Sequence, residues 1–523
     1  MSVLRIVLPL LALLLPLPAA LAAGQVPGKG PASTAAGAPD LVPVVWLEPA
    51  DVKAGAEDRG GALTFRLIPP GDPRVRDAER LIDNEPARFT RRLVAWAWRA
   101  FGSSPDWSEP RLPIVLRPGG NNAGQGFRLV SGDGVIEEHP RVPYLVLELD
   151  SRSLSDTMIH EGGHLLHSIA TGGRRAAADW SAIPHTTFAV TDPLTAVSEG
   201  YAIHFETLLG HYGLGEETRS FYHRLAPAFD LKQGKRAEYY APITDLMTFS
   251  QSWARYQAVR DTWPAFAGHV YPGDYLRSQF DAARNRAVLK PAGAMLASEG
   301  VAASVLFWTS VGLAERDGTA FGQGLDQPGL FRAEQMLLTA LSKLPAPSAF
   351  RPDLIDVVSA VGETNSAERS VAISRFVNVT RGVTARPEIR GRWTAVYRDA
   401  VALDFDAATP LFAELDAARE SILGAALADP VTLRRGLGPI LPVSAPKLVL
   451  ELKALHEKFP LEFDLNAATE AEWLAVGVDA ATSARVLAER DRVPFSSVAD
   501  FESRSGVTLR ALGLTPLSVE GRR

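Results

Sequence analysis

The chain has 523 residues, of which 46% are hydrophobic and 22% are charged, proportions that exclude a disordered or fibrous protein. This length accommodates roughly two to four domains, and the net charge of -6 provides no overall attraction to nucleic acid or to an anionic membrane. The absence of cysteine excludes disulfides, thiolate metal sites and a lipid anchor on an N-terminal cysteine.

The N-terminus has the pattern of a secretory signal peptide. Arg5 precedes an apolar run over residues 6–17, and the small residues around Ala20 and Ala22 form a cleavage site. The run is short and interrupted by prolines, which disfavours a membrane anchor. We therefore predict a signal peptide over residues 1–22, a Gly/Pro/Ala/Ser-rich flexible linker over 23–40, and a periplasmic or secreted bacterial protein with no membrane span after signal removal.

Residues 41–150 alternate short extended segments with turn clusters. The segments 62–68, 112–116 and 144–149 are rich in Leu, Ile and Val, and a helical pattern over residues 87–101 interrupts them. This alternation predicts an N-terminal α/β sheet region, in which a helix covers a mixed sheet.

Residues 151–440 have a mainly helical pattern that begins with a His-Glu-x-x-His sequence at His160, Glu161 and His164. Residues four apart on a helix lie about 40° apart around its axis, so both imidazoles point the same way and can bind one Zn²⁺. The carboxylate of Glu161 is then available as the general base toward water. The glycine pair at 172–173 predicts the end of this helix.

Catalytic zinc sites use three protein ligands, so a further ligand is needed. Asp192 and Pro193 predict the start of a separate helix, Gly210 its end, and Glu199 falls in its second turn. Ser298-Glu299-Gly300 repeats the Ser-Glu-Gly sequence, which makes Glu299 a rival candidate. Its apolar surroundings favour a structural role at the start of a buried helix.

The sequence Glu199-Gly200-Tyr201-Ala202-x-x-x-Glu206 resembles the helix that supplies the third zinc ligand in aminopeptidase-N-like gluzincins. The His-Glu-x-x-His sequence matches that family as well. The resemblance covers only about fifty residues.

Several expectations follow from the resemblance. It implies a zincin-like mixed sheet with an active-site helix, and an edge strand at residues 144–149 that holds the substrate backbone. It also implies zinc bound by His160, His164 and Glu199, with Glu161 activating water.

The sequence departs from related families in ways that bear on activity. The spacing from His164 to Glu199 exceeds that of the aminopeptidases, and no Gly-x-Met-x-Asn segment lies upstream, so endopeptidase and exopeptidase activity both remain open. His-Glu-x-Gly-His-x-x-His also resembles the thimet oligopeptidase clan, whose glutamate helix differs. Ala170 stands where a metzincin has its third histidine, which excludes the usual metzincin site.

Other polar residues have two readings. His167 and Glu206 are either groups that brace the zinc ligands or, more commonly, a core histidine bonded to backbone and a solvated helix residue. Donors that stabilise a transition-state oxyanion are expected among seven aromatic and imidazole side chains. These are Tyr222, His223, Tyr239, Tyr240, His269, Tyr271 and Tyr275.

Residues 447–523 resemble the helix-hairpin-helix module of secreted DNA-uptake proteins, through residues 463–478, 484–487 and 494–501. In that module a Gly-h-Gly hairpin presents backbone N–H groups to a DNA phosphate, and Asp479 stands here at the second glycine. From Leu461 onward ten acidic residues and seven arginines give a net charge of -3. The module is therefore predicted to be a structural or protein-interaction element, and nucleic acid is disfavoured.

Together these patterns predict an α+β protein with a small all-α C-terminal module. The predicted function is an exported zinc peptidase that acts on a peptide or protein substrate. The alternatives are an extracytoplasmic nucleic-acid- or protein-binding factor that uses the C-terminal module, and a structural protein with an inactive zincin domain. The patterns specify neither cleavage preference nor oligomeric state.

Overall fold

A computed structural model gives the fold of much of the chain, all of it within one compact unit. It describes residues 41–50, 63–102, 109–118, 122–131, 134–148, 154–173, 193–213, 289–319, 324–344, 353–363, 365–401, 405–452 and 457–517. The predicted signal peptide and linker lie outside the described residues.

Five strands near the N-terminus form a closed barrel. Around the barrel the order is β1-β2-β4-β5-β3; the β1–β2 and β4–β5 pairs are antiparallel, whereas β1–β3, β2–β4 and β3–β5 are parallel. All five residues of Leu112–Leu116 are buried, so this strand is covered on its outer face as well as on the face that fills the barrel. The strands are β1 Val44–Pro49, β2 Leu63–Leu67, β3 Leu112–Leu116, β4 Asn122–Val130 and β5 Ile136–Leu147.

Closure of the barrel corrects one expectation. The α+β class is confirmed, but β1 pairs with both β2 and β3, so the sheet is a closed barrel and not an open zincin-like sheet. The proposed edge strand at residues 144–149 is wrong, because β5 pairs with β4 on one side and with β3 on the other, through Leu145 to Leu147. Leu149 itself lies outside the described residues.

Two helices, α1 Pro73–Leu81 and α2 Glu85–Phe101, separate β2 from β3. The Asn84 side chain caps α2 by accepting a hydrogen bond of 2.9 Å from the backbone N–H of Ala87. Phe89, Leu93 and other apolar residues on one face of α2 are buried, and the helix packs against the helix that follows the barrel. The helix predicted over residues 87–101 is therefore confirmed, and it packs against helices.

Helices dominate the chain after the barrel, and their apolar side chains join those of the barrel in one hydrophobic core. No helix in the described part of the chain combines the length and hydropathy needed to cross a membrane. The helices are α3 Leu154–Thr171, α4 Pro193–Gly213, α5 Ala292–Leu296, α6 Glu299–Arg316, α7 Pro328–Ser342, α8 Leu354–Ala360, α9 Ser366–Thr380, α10 Ile389–Val401 and α11 Phe405–Ala428, followed by a 3-10 turn at Pro430–Arg434.

Helix α4 lies between α3 and α6, and two glycines permit the close approach. A Cβ on Gly163 of α3 would lie 2.7 Å from Ala202 Cα on α4. A Cβ on Gly200 of α4 would lie 2.5 Å from Ala302 Cβ on α6. Both distances are too short for real side chains. Gly163 is therefore required by the approach of a neighbouring backbone. This accounts for a glycine inside a helix, where it costs about 1 kcal/mol relative to alanine.

The C-terminal region has its own hydrophobic core, in which Trp473 stacks on Phe501 with ring centroids 5.5 Å apart. The prediction of an all-α module is wrong, because the region also has three antiparallel strands, two before its helices and one after them. The predicted boundary at residue 447 is wrong as well, since it falls inside β6. Its elements are β6 Pro442–Leu452, β7 Glu457–Asp464, α12 Glu470–Ala475, α13 Ala480–Arg492, α14 Val498–Ser505, α15 Leu509–Leu512 and β8 Thr515–Pro516.

This region packs directly on the helical body. Arg390 of α10 donates a hydrogen bond of 2.5 Å to Asp491 of α13, and both side chains are largely buried. A Cβ on Gly293 of α5 would lie 3.2 Å from Ala467 Cβ, so the two backbones approach closely. The C-terminal region thus contacts the helical body through a buried ion pair and through closely packed backbone.

Candidate metal centre

Helix α3 holds His160 and His164 one turn apart on the same face. Their ring centroids are 4.9 Å apart and the rings are nearly perpendicular, at 88°. Both side chains are mostly buried, with 14% and 18% of their surface exposed. The helix ends at Thr171, and Gly172 and Gly173 follow with φ of 66° and 69°, so the predicted glycine stop is confirmed.

Helix α4 supplies the third group of the cluster. It begins at Pro193, as predicted, and Glu199 lies in its second turn. The Glu199 Oε2 atom is 3.3 Å from His164 Nε2 and 3.8 Å from His160 Nε2. The predicted end at Gly210 is wrong, since α4 continues to Gly213 with Tyr212 buried in the core.

The three donor atoms lie near the spacing of a zinc site, with Glu199 Oε2 at 3.3 and 3.8 Å from the two imidazole nitrogens. One atom from each of His160, His164 and Glu199 lies within 4.8 Å of the other two, and within the described residues this is the one such cluster. Tetrahedral zinc with bonds of about 2.0 to 2.1 Å places its ligand atoms roughly 3.3 Å apart. Two imidazole nitrogens and one carboxylate oxygen also form a usual catalytic zinc set, so the residues fit the metal.

Glu161 directly follows the first histidine on α3. Its side chain is partly buried, as are those of the three candidate ligands. Its carboxylate is not one of the donor atoms that meet in the cluster. The general-base role predicted from the sequence stays a prediction.

Glu206 lies beside His160. Its side chain is fully buried, and its Oε2 atom lies 3.2 Å from His160 Nδ1. The negative charge of a carboxylate at this distance favours a proton on Nδ1, which leaves Nε2 as the nitrogen that can bind a metal. Of the two readings of Glu206, the structure excludes the solvated helix residue.

His167 lies buried next to the cluster. Burial, with a contribution from the neighbouring His164, lowers the pKa of His167 to about 4, so its ring is neutral at ordinary pH. Its Nε2 atom has no hydrogen-bond partner within the described part of the chain, so this atom does not bond to backbone there. The histidine is therefore a neutral core residue on this side of α3.

Glu299, the rival ligand, is the first residue of α6, is 2% exposed and is not among the residues whose donor atoms meet in the cluster. Lys290 is fully buried nearby and donates a hydrogen bond of 2.8 Å to Ser298 Oγ. Burial lowers the pKa of Lys290 to about 7, and the negative charges of Glu299 and Glu472 oppose this shift. Glu299 thus has the structural surroundings that its apolar sequence context predicts.

The seven predicted oxyanion donors, from Tyr222 to Tyr275, lie outside the described residues. Sequence reasoning missed a further polar group at the site helices, the buried carboxylate of Glu334 on α7. It contacts Tyr201 and His204 of α4. No local pattern in the sequence signals it, because Arg332 and Gln335 stand beside it as they would beside a solvated helix residue.

Two hairpin turns join helices in the C-terminal region, residues 476–479 before α13 and residues 506–508 before α15. Each is capped by a carboxylate of the chain itself. Asp479 Oδ1 accepts a hydrogen bond of 2.9 Å from the backbone N–H of Thr482 at the start of α13. This bond holds the pKa of Asp479 below its usual range. In the second hairpin Glu502 Oε1 accepts from the backbone N–H of Leu509, at 2.9 Å. Negative groups therefore occupy positions that a phosphate would need.

We accordingly expect the full-length protein not to bind duplex DNA at moderate salt. Fluorescence anisotropy with a labelled duplex, measured at several salt concentrations, checks this expectation. Binding that weakens steeply as salt rises would show that the region neutralises phosphates and would contradict it.

Comparisons with known proteins add no assignment. No family model, no curated protein and no solved structure matches the chain. The functional argument therefore depends on the geometry of the site and on the sequence motifs.

Proposed function

We propose that the protein is an exported zinc-dependent peptidase of the gluzincin type. One observation carries this proposal: two histidines of one helix and a glutamate of the next bring their donor atoms within 4.8 Å of one another. His160, His164 and Glu199 would hold the metal. When bound there, zinc supplies a Lewis acid that polarises a carbonyl and lowers the pKa of water.

The residues around the metal then have separate roles. Glu161 accepts a proton from the attacking water at its carboxylate and returns it to the departing amine. Glu206 keeps the proton of His160 on Nδ1, which its distance of 3.2 Å supports. The mostly buried position of both histidines limits water around the site and strengthens electrostatic interactions there.

A peptide is the substrate class that the two motifs support best. The sequences around His160 and Glu199 resemble those of gluzincins, whose bound zinc and general base hydrolyse peptide bonds. β5 is paired on both sides, so it is not the strand that holds the substrate in this proposal.

The proposed location outside the cytoplasm follows from the pattern of residues 1–22 and from the flexible segment after it. A cysteine-free chain is compatible with an oxidising compartment. The substrate is then an extracytoplasmic peptide or protein. A binding protein that uses the C-terminal region has less support, because both of its hairpins are capped by carboxylates.

Cleavage of a mixed peptide library by the protein without residues 1–22 tests the proposal. We expect hydrolysis that a strong chelator abolishes and that added zinc restores, because the chemistry requires the metal. Mass spectrometry of the products identifies the cleaved bonds. Either no cleavage by zinc-loaded protein or cleavage indifferent to the chelator would contradict the proposed function.

A further inference from the structure

A buried carboxylate on α7 connects three helices behind the metal cluster. Glu334 Oε2 accepts a hydrogen bond of 3.1 Å from Tyr201 Oη, and Glu334 Oε1 lies 3.1 Å from His204 Nε2. Ser310 Oγ of α6 also donates to Oε1. All four residues are fully buried. Burial next to this carboxylate raises the pKa of Tyr201 well above its usual range, so the phenol remains a donor.

His204 contributes to this group through its Nε2 atom, 3.1 Å from Glu334 Oε1. A carboxylate oxygen accepts hydrogen bonds, so Nε2–H is the donor of this pair. Glu334 thus receives three hydrogen bonds, two of them from α4 and one from α6.

The two polar sides of α4 serve different partners. Glu199 and Glu206, two turns apart, contact the histidines of α3. Tyr201 and His204 instead contact α7. Any rotation or sliding of α4 that breaks the contacts to Glu334 also moves Glu199 away from the histidines, since both sets of side chains project from one rigid helix.

Apolar packing holds α4 in the core, but it is non-directional. Where α4 meets its neighbours most closely, the residues are small: Gly163 against Ala202, and Gly200 against Ala302. Large side chains such as Phe205 and Leu208 are buried as well, and they add packing without directed hydrogen bonds. A buried carboxylate contributes little net stability, because its desolvation offsets its hydrogen bonds, but it can specify one alignment of packed helices.

We infer that Glu334 is a positioning residue that sets the rotation and height of α4, and thereby the distance from Glu199 to His160 and His164. This inference rests on the proposed zinc site. It predicts a specific effect on metal affinity that a general loss of stability does not produce.

Glu334→Gln tests the inference, with Asp353→Asn as the matched control. A glutamine side chain has one acceptor oxygen and cannot accept from all three donors. Asp353 is also a buried acid, but its polar contacts are to Arg434, at 2.6 Å, and to the start of α8, which it caps. Chelator competition measures the zinc dissociation constant, and thermal unfolding of the metal-free proteins measures stability.

We expect Glu334→Gln to weaken zinc binding by about 10-fold, the lower end of the range for groups that orient metal ligands. Asp353→Asn should lower the unfolding temperature and leave zinc affinity unchanged. The visible spectrum of the cobalt-substituted protein should also change for Glu334→Gln alone, because it reports ligand geometry. Unchanged zinc affinity and an unchanged cobalt spectrum in folded Glu334→Gln would overturn the inference.

Tyr201→Phe provides the test should Glu334→Gln fail to fold. It removes a single hydroxyl, so we expect a folded protein with a smaller loss of zinc affinity in the same direction. Unchanged affinity in this variant would then overturn the inference. A wild-type protein that binds no zinc would instead contradict the proposed function, so the two failures are distinguishable.

Discussion

Glu161→Gln is expected to retain zinc and to lower the rate of peptide hydrolysis by about 10²- to 10⁴-fold, the usual contribution of general acid–base catalysis. The amide has nearly the shape of the carboxylate and fits the same partly buried position on α3. It cannot accept a proton at ordinary pH, so the attacking water is no longer activated. Zinc content and kcat/KM, measured on the same preparations, check both parts of this expectation.

Glu138→Gln is the matched control for this experiment. Glu138 lies on β5 with 66% of its side chain exposed, in an ion pair with Arg128. Surface pairs of this kind contribute little, so the control should have wild-type zinc content and activity. Undiminished turnover by Glu161→Gln would remove this residue from the mechanism.

Glu199→Ala is expected to have the largest effect on metal binding. The substitution removes one of the three groups whose donor atoms meet in the cluster. We expect zinc affinity to fall by more than about 100-fold, beyond the effect of losing a group that only orients a ligand. The small alanine is well tolerated in a helix, so the fold should persist without the metal.

Glu299→Ala should be compared with Glu199→Ala, because both glutamates occur in a Ser-Glu-Gly sequence and both were candidates for the third zinc ligand. Glu299 is buried at the start of α6, near the buried Lys290. Its loss should reduce stability by about 1 to 3 kcal/mol, the usual effect of leaving a buried polar partner unsatisfied. Zinc content should stay at the wild-type level. Loss of zinc from Glu299→Ala alone would mean that the wrong helix was assigned.

The elements that form the site could be predicted because their signals are local. His160 and His164 lie one helical turn apart, and the glycines after Thr171 and the proline at residue 193 mark helix ends. The position of Glu199 follows once its helix is recognised. That α3 and α4 lie side by side was predicted from the family motif alone. The periodicity of each helix says nothing about which helix it packs against.

The features that could not be predicted depend on pairing between distant segments. The pattern of residues 144–147 indicates a strand but does not indicate its neighbours. It therefore cannot distinguish an edge strand from a strand paired on both sides, as β5 is. The end of α4 was misplaced because Leu209 and Tyr212 are buried, and packing outweighs the local preference of Gly210. Glu334 lies 133 residues from Tyr201, and no local pattern connects them.

The C-terminal region shows the same limit. Its helices follow the predicted pattern, with Thr469 and Glu472 forming a reciprocal cap at the start of α12. Its strands were missed, because the pairing of β6 with β7 and β8 joins residues up to about seventy positions apart. The resemblance to a DNA-binding module thus predicted the helices of this region but not its strands.

Elemental analysis of the purified protein tests the central claim most directly. The protein without residues 1–22, purified in the presence of zinc and then freed of unbound metal, should retain about one zinc per chain, as three protein ligands and one open position require. Glu199→Ala prepared in parallel should retain almost none. Wild-type protein that retains no divalent metal under these conditions would contradict the account.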